Sequence, residues 1–141
     1  MNSFFESWRF IFIFLAIVVG IWIIGLVYFL PFKYWWFDIA VHFLGGLWAF
    51  SLAVTIQNHY KINIVGTNNY IASFFIFVGL VVLIGIFWEF AEFIADRYIF
   101  KTGFTHMRGV YEDTLADLFM DIIGGALGFF IYLLNNKKTN V

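Results

Sequence analysis

Four long apolar runs, separated by short polar segments, set the pattern of this chain. They cover residues 10–30, 38–57, 70–95 and 114–134. Each run is close to the length of about 20 residues that an α-helix needs to cross the hydrocarbon core of a membrane. The pattern therefore predicts an all-α integral membrane protein, a bundle of four transmembrane helices forming one transmembrane domain over residues 1–141. An even number of spans places both termini on the same side of the bilayer.

The first run ends at Pro31, the only proline. It is longer than the apolar region of a signal peptide, and the large residues that follow it offer no cleavage site. We expect it to remain as the first span.

Composition narrows the class of protein further. Hydrophobic residues make up 63% of the 141 positions and charged residues 12%, a balance that fits lipid as the solvent. The eight lysines and arginines are scattered between the runs, which argues against a nucleic-acid partner. The absence of cysteine excludes disulfides, iron–sulfur clusters and thiolate nucleophiles.

The acidic residues follow a stricter pattern than the bases. Eight of the nine fall where the second run begins, the third ends and the fourth begins. Antiparallel helices bring these positions to one membrane face. A helix rises 1.5 Å per residue, so counting inward from that face gives three layers. The surface layer contains Asp38, Asp96 and Asp113. A second layer, about 6 Å deeper, contains His42, Glu92 and Asp117, and a third, roughly 11 Å deep, contains Glu89 and Asp121.

Helical phase indicates that these side chains face the bundle. Asp113, Asp117 and Asp121 share one stripe with Gly124 and Gly128, and small residues mark close contacts between membrane helices. The second span combines its acid and histidine with Gly45, Ala49 and Ala53, and the third combines its acids with Gly85. The uncharged first span is expected to pack around the outside.

Four deep charges would cost on the order of 10 kcal/mol if ionised and uncompensated. Protonated carboxyls that join helices would avoid this cost, and the surface layer can simply be solvated. The other candidates to offset this cost are bound cations or the loop bases Arg97, Lys101 and Arg108. Carboxylates with one imidazole favour Mg²⁺, Mn²⁺ or Ca²⁺ over Zn²⁺ or iron. The predicted divalent metal ligands are His42, Glu89, Glu92, Asp117 and Asp121.

The same face offers candidates for catalysis and substrate binding. Glu89 and Asp117 are the predicted catalytic groups, acting beside a metal that activates water or a substrate oxygen. Arg97, His106 and Arg108 are the predicted contacts to an anionic head group, although a basic loop can equally rest against lipid phosphates.

A family resemblance rests on three segments of the sequence. Asp38-x-x-x-His42-Phe43, Trp88-Glu89-x-x-Glu92, and Asp113-Thr114-Leu115-x-Asp117-Leu118 leading to Gly124-Gly125-x-x-Gly128 resemble the YjdF-like bacterial inner-membrane family. They are more distantly similar to the VanZ-like family, associated with glycopeptide resistance. VanZ-like proteins tend to have Gln in place of Glu92 and Asn in place of Asp121. The resemblance implies a multi-pass protein of the cell envelope without supplying a substrate.

Three functions stay open at this point. The first is a metal-dependent hydrolase, transferase or binding protein for an amphiphilic phosphate-bearing or polyprenyl-type substrate drawn from the lipid bilayer. The second is a proton- or cation-coupled transporter, for which four spans make a thin path unless a homodimer forms. The third is a noncatalytic assembly or resistance factor.

Arg9 before the first span favours cytoplasmic termini.

Overall fold

The helices of the computed structural model follow the four apolar runs. The structure describes residues 7–62, 69–101 and 109–138, and within these ranges it contains helices and turns without strands. The helices are α1 (Trp8–Tyr28), α2 (Leu30–Lys33), α3 (Trp36–Tyr60), α4 (Tyr70–Ile94), which continues as a π-helical segment (Ala95–Phe100), and α5 (Val110–Lys138). Four of these elements are long and apolar enough to cross a membrane, which confirms the predicted fold class.

The first span ends before the proline that was expected to stop it. Phe29 adopts a left-handed conformation with φ of 55°, and its N–H bonds back to the carbonyls of Gly25 and Leu26. Pro31 then lies in the first turn of α2, where a missing N–H costs nothing. The chain thus turns from α1 into α3 through one short helix at the membrane face.

A side-chain cap and a left-handed residue set the two ends of the third span. Asn69 accepts a hydrogen bond from the N–H of Ala72 at 3.1 Å and begins α4. At the far end the π-helical segment carries the third span five residues past the predicted boundary at residue 95. Lys101, with φ of 53°, ends it.

Glycines allow α3 and α5 to pack closely. A Cβ placed on Gly46 would strike the backbone carbonyl of Asp121, and one on Gly124 would strike the backbone carbonyl of Phe43. Gly128 lies against the ring of Phe50 in the same way. The small-residue stripes on these two helices therefore face the bundle, as the helical phase predicted.

The apolar core lies in the half of the bundle away from the acids. Phe50 is at its centre, with ring centroids 5.4 Å from Phe77 and 6.2 Å from Phe129. Outside the core, many large apolar side chains are exposed along α1, α4 and α5, as lipid-facing helices require.

The first span also enters the bundle along one stripe. Ile11, Val18 and Gly25, spaced seven residues apart, are its buried positions. Trp48 of α3 donates its indole N–H to the carbonyl of Ile11 at 3.0 Å. The expectation that this span lies only around the outside is incomplete, because one further side chain, Trp22, reaches the acidic face.

Candidate metal site

Three helix ends supply the side chains of the acidic face. Asp38 and His42 come from the beginning of α3, Glu89 and Glu92 from the last turns of α4, and Asp117 and Asp121 from the first turns of α5. Residues three or four apart lie on one face of a helix, so each helix directs its pair toward the other two. The distances between these side chains show that they form one cluster.

His42 lies at the centre of the cluster. Its side chain is buried, and its Nδ1 is 3.3 Å from Asp121 Oδ2. Its Nε2 is 3.6 Å from Glu89 Oε1, a distance suited to an electrostatic contact and too long for a good hydrogen bond. The imidazole thus lies between a carboxylate of α5 and one of α4.

Two overlapping groups of side chains have the spacing of metal ligands. In the first, Asp38, His42 and Asp117 each offer an atom within 4.8 Å of the others, and in the second the same holds for His42, Glu89 and Glu92. Both groups contain His42. The described residues could therefore hold a metal ion at this face.

Several polar atoms of the cluster are buried without a hydrogen bond. They are His42 Nε2, Glu89 Oε1 and Asp117 Oδ1, and in the described ranges one other side-chain atom, Thr55 Oγ1, shares this condition. His42 is 3% exposed and Asp117 is 2% exposed, so bulk water does not satisfy these atoms. Buried polar groups normally have partners, and a shared ligand is one explanation for three exceptions in one cluster.

Other side chains hold the two glutamates in place. Trp22 and Trp88 both donate their indole N–H to Glu92 Oε1, at 2.8 Å and 3.0 Å. Thr114 of α5 donates its hydroxyl to Glu89 Oε2 at 2.8 Å. The bond from Thr114 leaves the other carboxylate oxygen of Glu89, Oε1, without a hydrogen bond, and this oxygen faces His42.

A family model described as "Predicted membrane protein (DUF2238)" matches residues 1–138. The chain belongs to this family. No curated protein matches it, and no solved structure does.

The remaining predicted site residues of this DUF2238 protein are placed more loosely. Asp113 is half-buried one turn before Asp117, and Asp96 is buried in the π-helical segment, but neither belongs to the two ligand groups. Arg97 is exposed. His106 and Arg108 lie outside the described residues. Asp121 is close to His42 without belonging to either group.

Sequence reasoning missed the three donors to the glutamates. Trp88 lies four residues before Glu92 on one helix, and Thr114 lies in the acidic first turn of α5, so both shared a face with predicted site residues. Trp22 has no acidic neighbour in the sequence. Counting depth along the first span would have placed it six residues inside the end of α1, near the depth of the acids.

Proposed function

We propose that this protein binds a divalent cation at His42 and the surrounding carboxylates, and uses it to bind or act on an amphiphilic phosphate-bearing ligand at one membrane face. The observation that carries the proposal is the set of buried, unpaired atoms His42 Nε2, Glu89 Oε1 and Asp117 Oδ1. Each of these atoms belongs to a residue of one of the two ligand groups, so one or two bound ions would give all three a partner.

The surroundings of His42 fit a metal-bound histidine. Such a histidine commonly donates its second ring N–H to a carboxylate, which fixes the tautomer and the ring orientation. Asp121 lies where this partner is needed, at Nδ1, and leaves Nε2 for the ion. We therefore assign Asp121 an orienting role in place of the direct ligation that the sequence suggested.

The donor set favours a hard ion. Asp38, Glu89, Glu92 and Asp117 supply oxygen, and His42 supplies the only imidazole nitrogen. Mg²⁺, Mn²⁺ and Ca²⁺ prefer oxygen-rich sites of this kind, whereas Zn²⁺ and iron would be expected with more nitrogen or sulfur. The ion would offset the repulsion among the clustered carboxylates.

The chemistry proposed for the site is that of a membrane hydrolase or transferase. A bound divalent ion polarises a phosphoryl oxygen or lowers the pKa of bound water. Glu89 and Asp117 are the proposed proton acceptors, because each belongs to a ligand group and would lie beside the ion and the water or substrate bound to it. The residues proposed to contact the anionic head group are Arg97, His106 and Arg108.

The rival functions have weaker support. A transporter needs a polar route across the bundle, but the buried core on the far side of the acids consists of residues such as Phe50, Phe77, Val81 and Phe129. Thr55 is the one buried polar side chain among the described residues of that half. A noncatalytic assembly or resistance factor would use the same ion for structure alone.

The deciding experiment is elemental analysis of purified protein. Wild type should carry about one divalent ion per chain or more, whereas Asp117→Asn and Glu92→Gln should lose it while still inserting in the membrane. Glu112→Gln is the matched control, because it removes one acidic charge from an exposed position of α5 outside both ligand groups. The proposal would be contradicted if wild type still carried no metal after it had been supplied with Mg²⁺, Mn²⁺ and Ca²⁺ in turn.

The cellular setting follows from the resemblance. We propose that the protein is YjdF-like, with a more distant relation to VanZ-like proteins, and that it lies in the inner membrane of a cell envelope with cytoplasmic termini and an outward-facing site. Arg9 ahead of the first span supports this orientation. A reporter fused after Val141 that is active only outside the cytoplasm would reverse it.

A further inference from the structure

Beside the candidate metal site, α1, the α2 turn, the beginning of α3 and the π-helical segment enclose a second feature. It is a cavity of about 370 Å³. We propose that it holds the hydrocarbon chain of an amphiphilic phosphate whose head group completes the coordination of the bound ion. This inference rests on the proposed metal site and adds to it the part of the ligand that the protein recognises.

The walls of the cavity are apolar apart from three carboxylates. Its volume lies within the range of about 300–1,000 Å³ that is usual for ligand pockets. The apolar lining comes from two groups of residues, four around the end of α1 and four farther along the chain. They are Trp22, Leu26, Val27 and Phe29, and then Pro31, Phe32, Ala95 and Phe100.

The cavity is accessible from the lipid side. Val27, Phe29, Phe32 and Phe100 line it and are each about half exposed or more. Val27 lies in α1, whose exposed apolar side chains suit the hydrocarbon region, so a chain can enter from the bilayer without crossing water. This access suits an apolar chain better than a water-soluble metabolite.

The carboxylates connect the cavity to the ion. Asp38 and Glu92 line the cavity and also belong to the two ligand groups around His42. A molecule whose chain lies between Leu26 and Ala95 therefore has its polar end at these carboxylates. The cavity and the metal site are two parts of one binding region.

The carboxylates that line the cavity determine which head group would bind through the ion. Asp38 and Glu92 would repel a phosphate, and none of the described residues that line the cavity is basic. A divalent cation between the phosphate and these carboxylates would replace that repulsion with attraction. Ion and amphiphile must then strengthen each other's binding by the same factor. A cationic amphiphile would instead compete with the ion.

The test measures Mn²⁺ affinity by electron paramagnetic resonance of the full-length protein in a phosphate-free maltoside detergent. Dodecyl phosphate should tighten Mn²⁺ binding by about 10-fold, within the range of typical coupling between sites. Inorganic phosphate should have little effect, since it gains nothing from the apolar walls. Detergent micelles with dodecyl phosphate but no protein correct for Mn²⁺ bound by the amphiphile alone.

A pair of variants separates the cavity from the ion site. Ala95→Phe fills the cavity and should abolish the effect of dodecyl phosphate while Mn²⁺ still binds. Ala91→Phe introduces the same side chain one turn earlier, at an exposed position outside the lining, and should behave like wild type. Equal tightening in both variants would overturn the inference.

Measurements on wild type cover the case in which Ala95→Phe does not fold. Ethyl, octyl and dodecyl phosphate should tighten Mn²⁺ binding increasingly with chain length, and equal effects would overturn the chain-binding role. The inference would also be overturned if dodecyltrimethylammonium stabilised the metal-free protein while Mn²⁺ together with dodecyl phosphate did not stabilise it. Mn²⁺ binding without coupling removes this inference alone, whereas no Mn²⁺ binding under any condition removes the proposed function as well.

Discussion

The indole N–H of Trp22 donates a hydrogen bond of 2.8 Å to Glu92 Oε1, and this bond joins the uncharged first span to the acidic face. The two residues are 70 positions apart. Trp88 donates to the same oxygen from within the helix of Glu92, and the two indole rings meet edge to face with centroids 5.1 Å apart. One carboxylate oxygen thus organises two aromatic residues from different helices.

Trp22→Phe should lower the free energy of unfolding by about 0.5–2 kcal/mol, since it removes an interhelical hydrogen bond to a carboxylate and keeps an aromatic ring. Denaturant titration in mixed micelles measures this difference. Trp88→Phe is the control, because it removes a donor to the same oxygen without breaking the link to α1. If both variants lose the same stability, the bond from Trp22 has no special role in holding the first span.

Close packing of α3 on α5 gives a second prediction. Gly46→Ala should destabilise the protein by about 1–3 kcal/mol. The added Cβ would lie only 2.8 Å from the Cα of Asp121 and would clash with its backbone. Gly79→Ala is the matched control in α4, where an added Cβ has no atom within 4 Å. It should be neutral or slightly stabilising, since alanine is the better helix former. Equal melting temperatures for the two variants would contradict this packing.

These contacts show what the sequence could predict and what it could not. The spans follow from hydrophobic length, and the buried faces of α3 and α5 follow from the phase of residues such as His42, Ala49 and Gly124. The bond between Trp22 and Glu92 depends on how α1 is rotated against α4. An uncharged helix carries little signal of its rotation, because lipid and protein interior accept the same apolar residues.

The division of roles that we propose within the site likewise depends on the tertiary structure. The depth count grouped Asp117 with His42 and placed Asp121 one turn deeper, but it could not tell a ligand from the group that orients the ligand. That distinction depends on which imidazole nitrogen each carboxylate approaches. In the structure, Nδ1 of His42 lies beside Asp121, and Nε2 of His42 has no hydrogen bond.

A third prediction tests these two roles. Asp121→Asn should weaken metal binding by roughly 10- to 100-fold, the usual effect of losing a carboxylate that orients a ligating histidine. Asp117→Asn should have a larger effect, since it removes a proposed ligand atom. Isothermal titration with Mn²⁺ gives both affinities. The assignment fails if Asp121→Asn abolishes binding while Asp117→Asn leaves it measurable.

The fourth prediction concerns the stability that a cation confers. Clustered carboxylates in a poorly solvated site repel each other, and a divalent ion relieves this repulsion in the folded protein only. At a free Mn²⁺ concentration of about 100 times Kd, wild type should gain roughly 2.7 kcal/mol of unfolding free energy, which appears as a higher melting temperature.

Asp117→Asn and Glu92→Gln should melt at the same temperature with and without Mn²⁺, and Glu112→Gln should respond as wild type does. Each amide keeps the shape and hydrogen-bonding capacity of the acid and removes its charge, so a stable, unresponsive variant reports a lost ion and not a lost fold. If wild type shows no response to Mg²⁺, Mn²⁺ or Ca²⁺, and the amide variants are more stable than wild type, protonated carboxyls and not an ion hold these helices together. That result would leave the proton-coupled and purely structural functions.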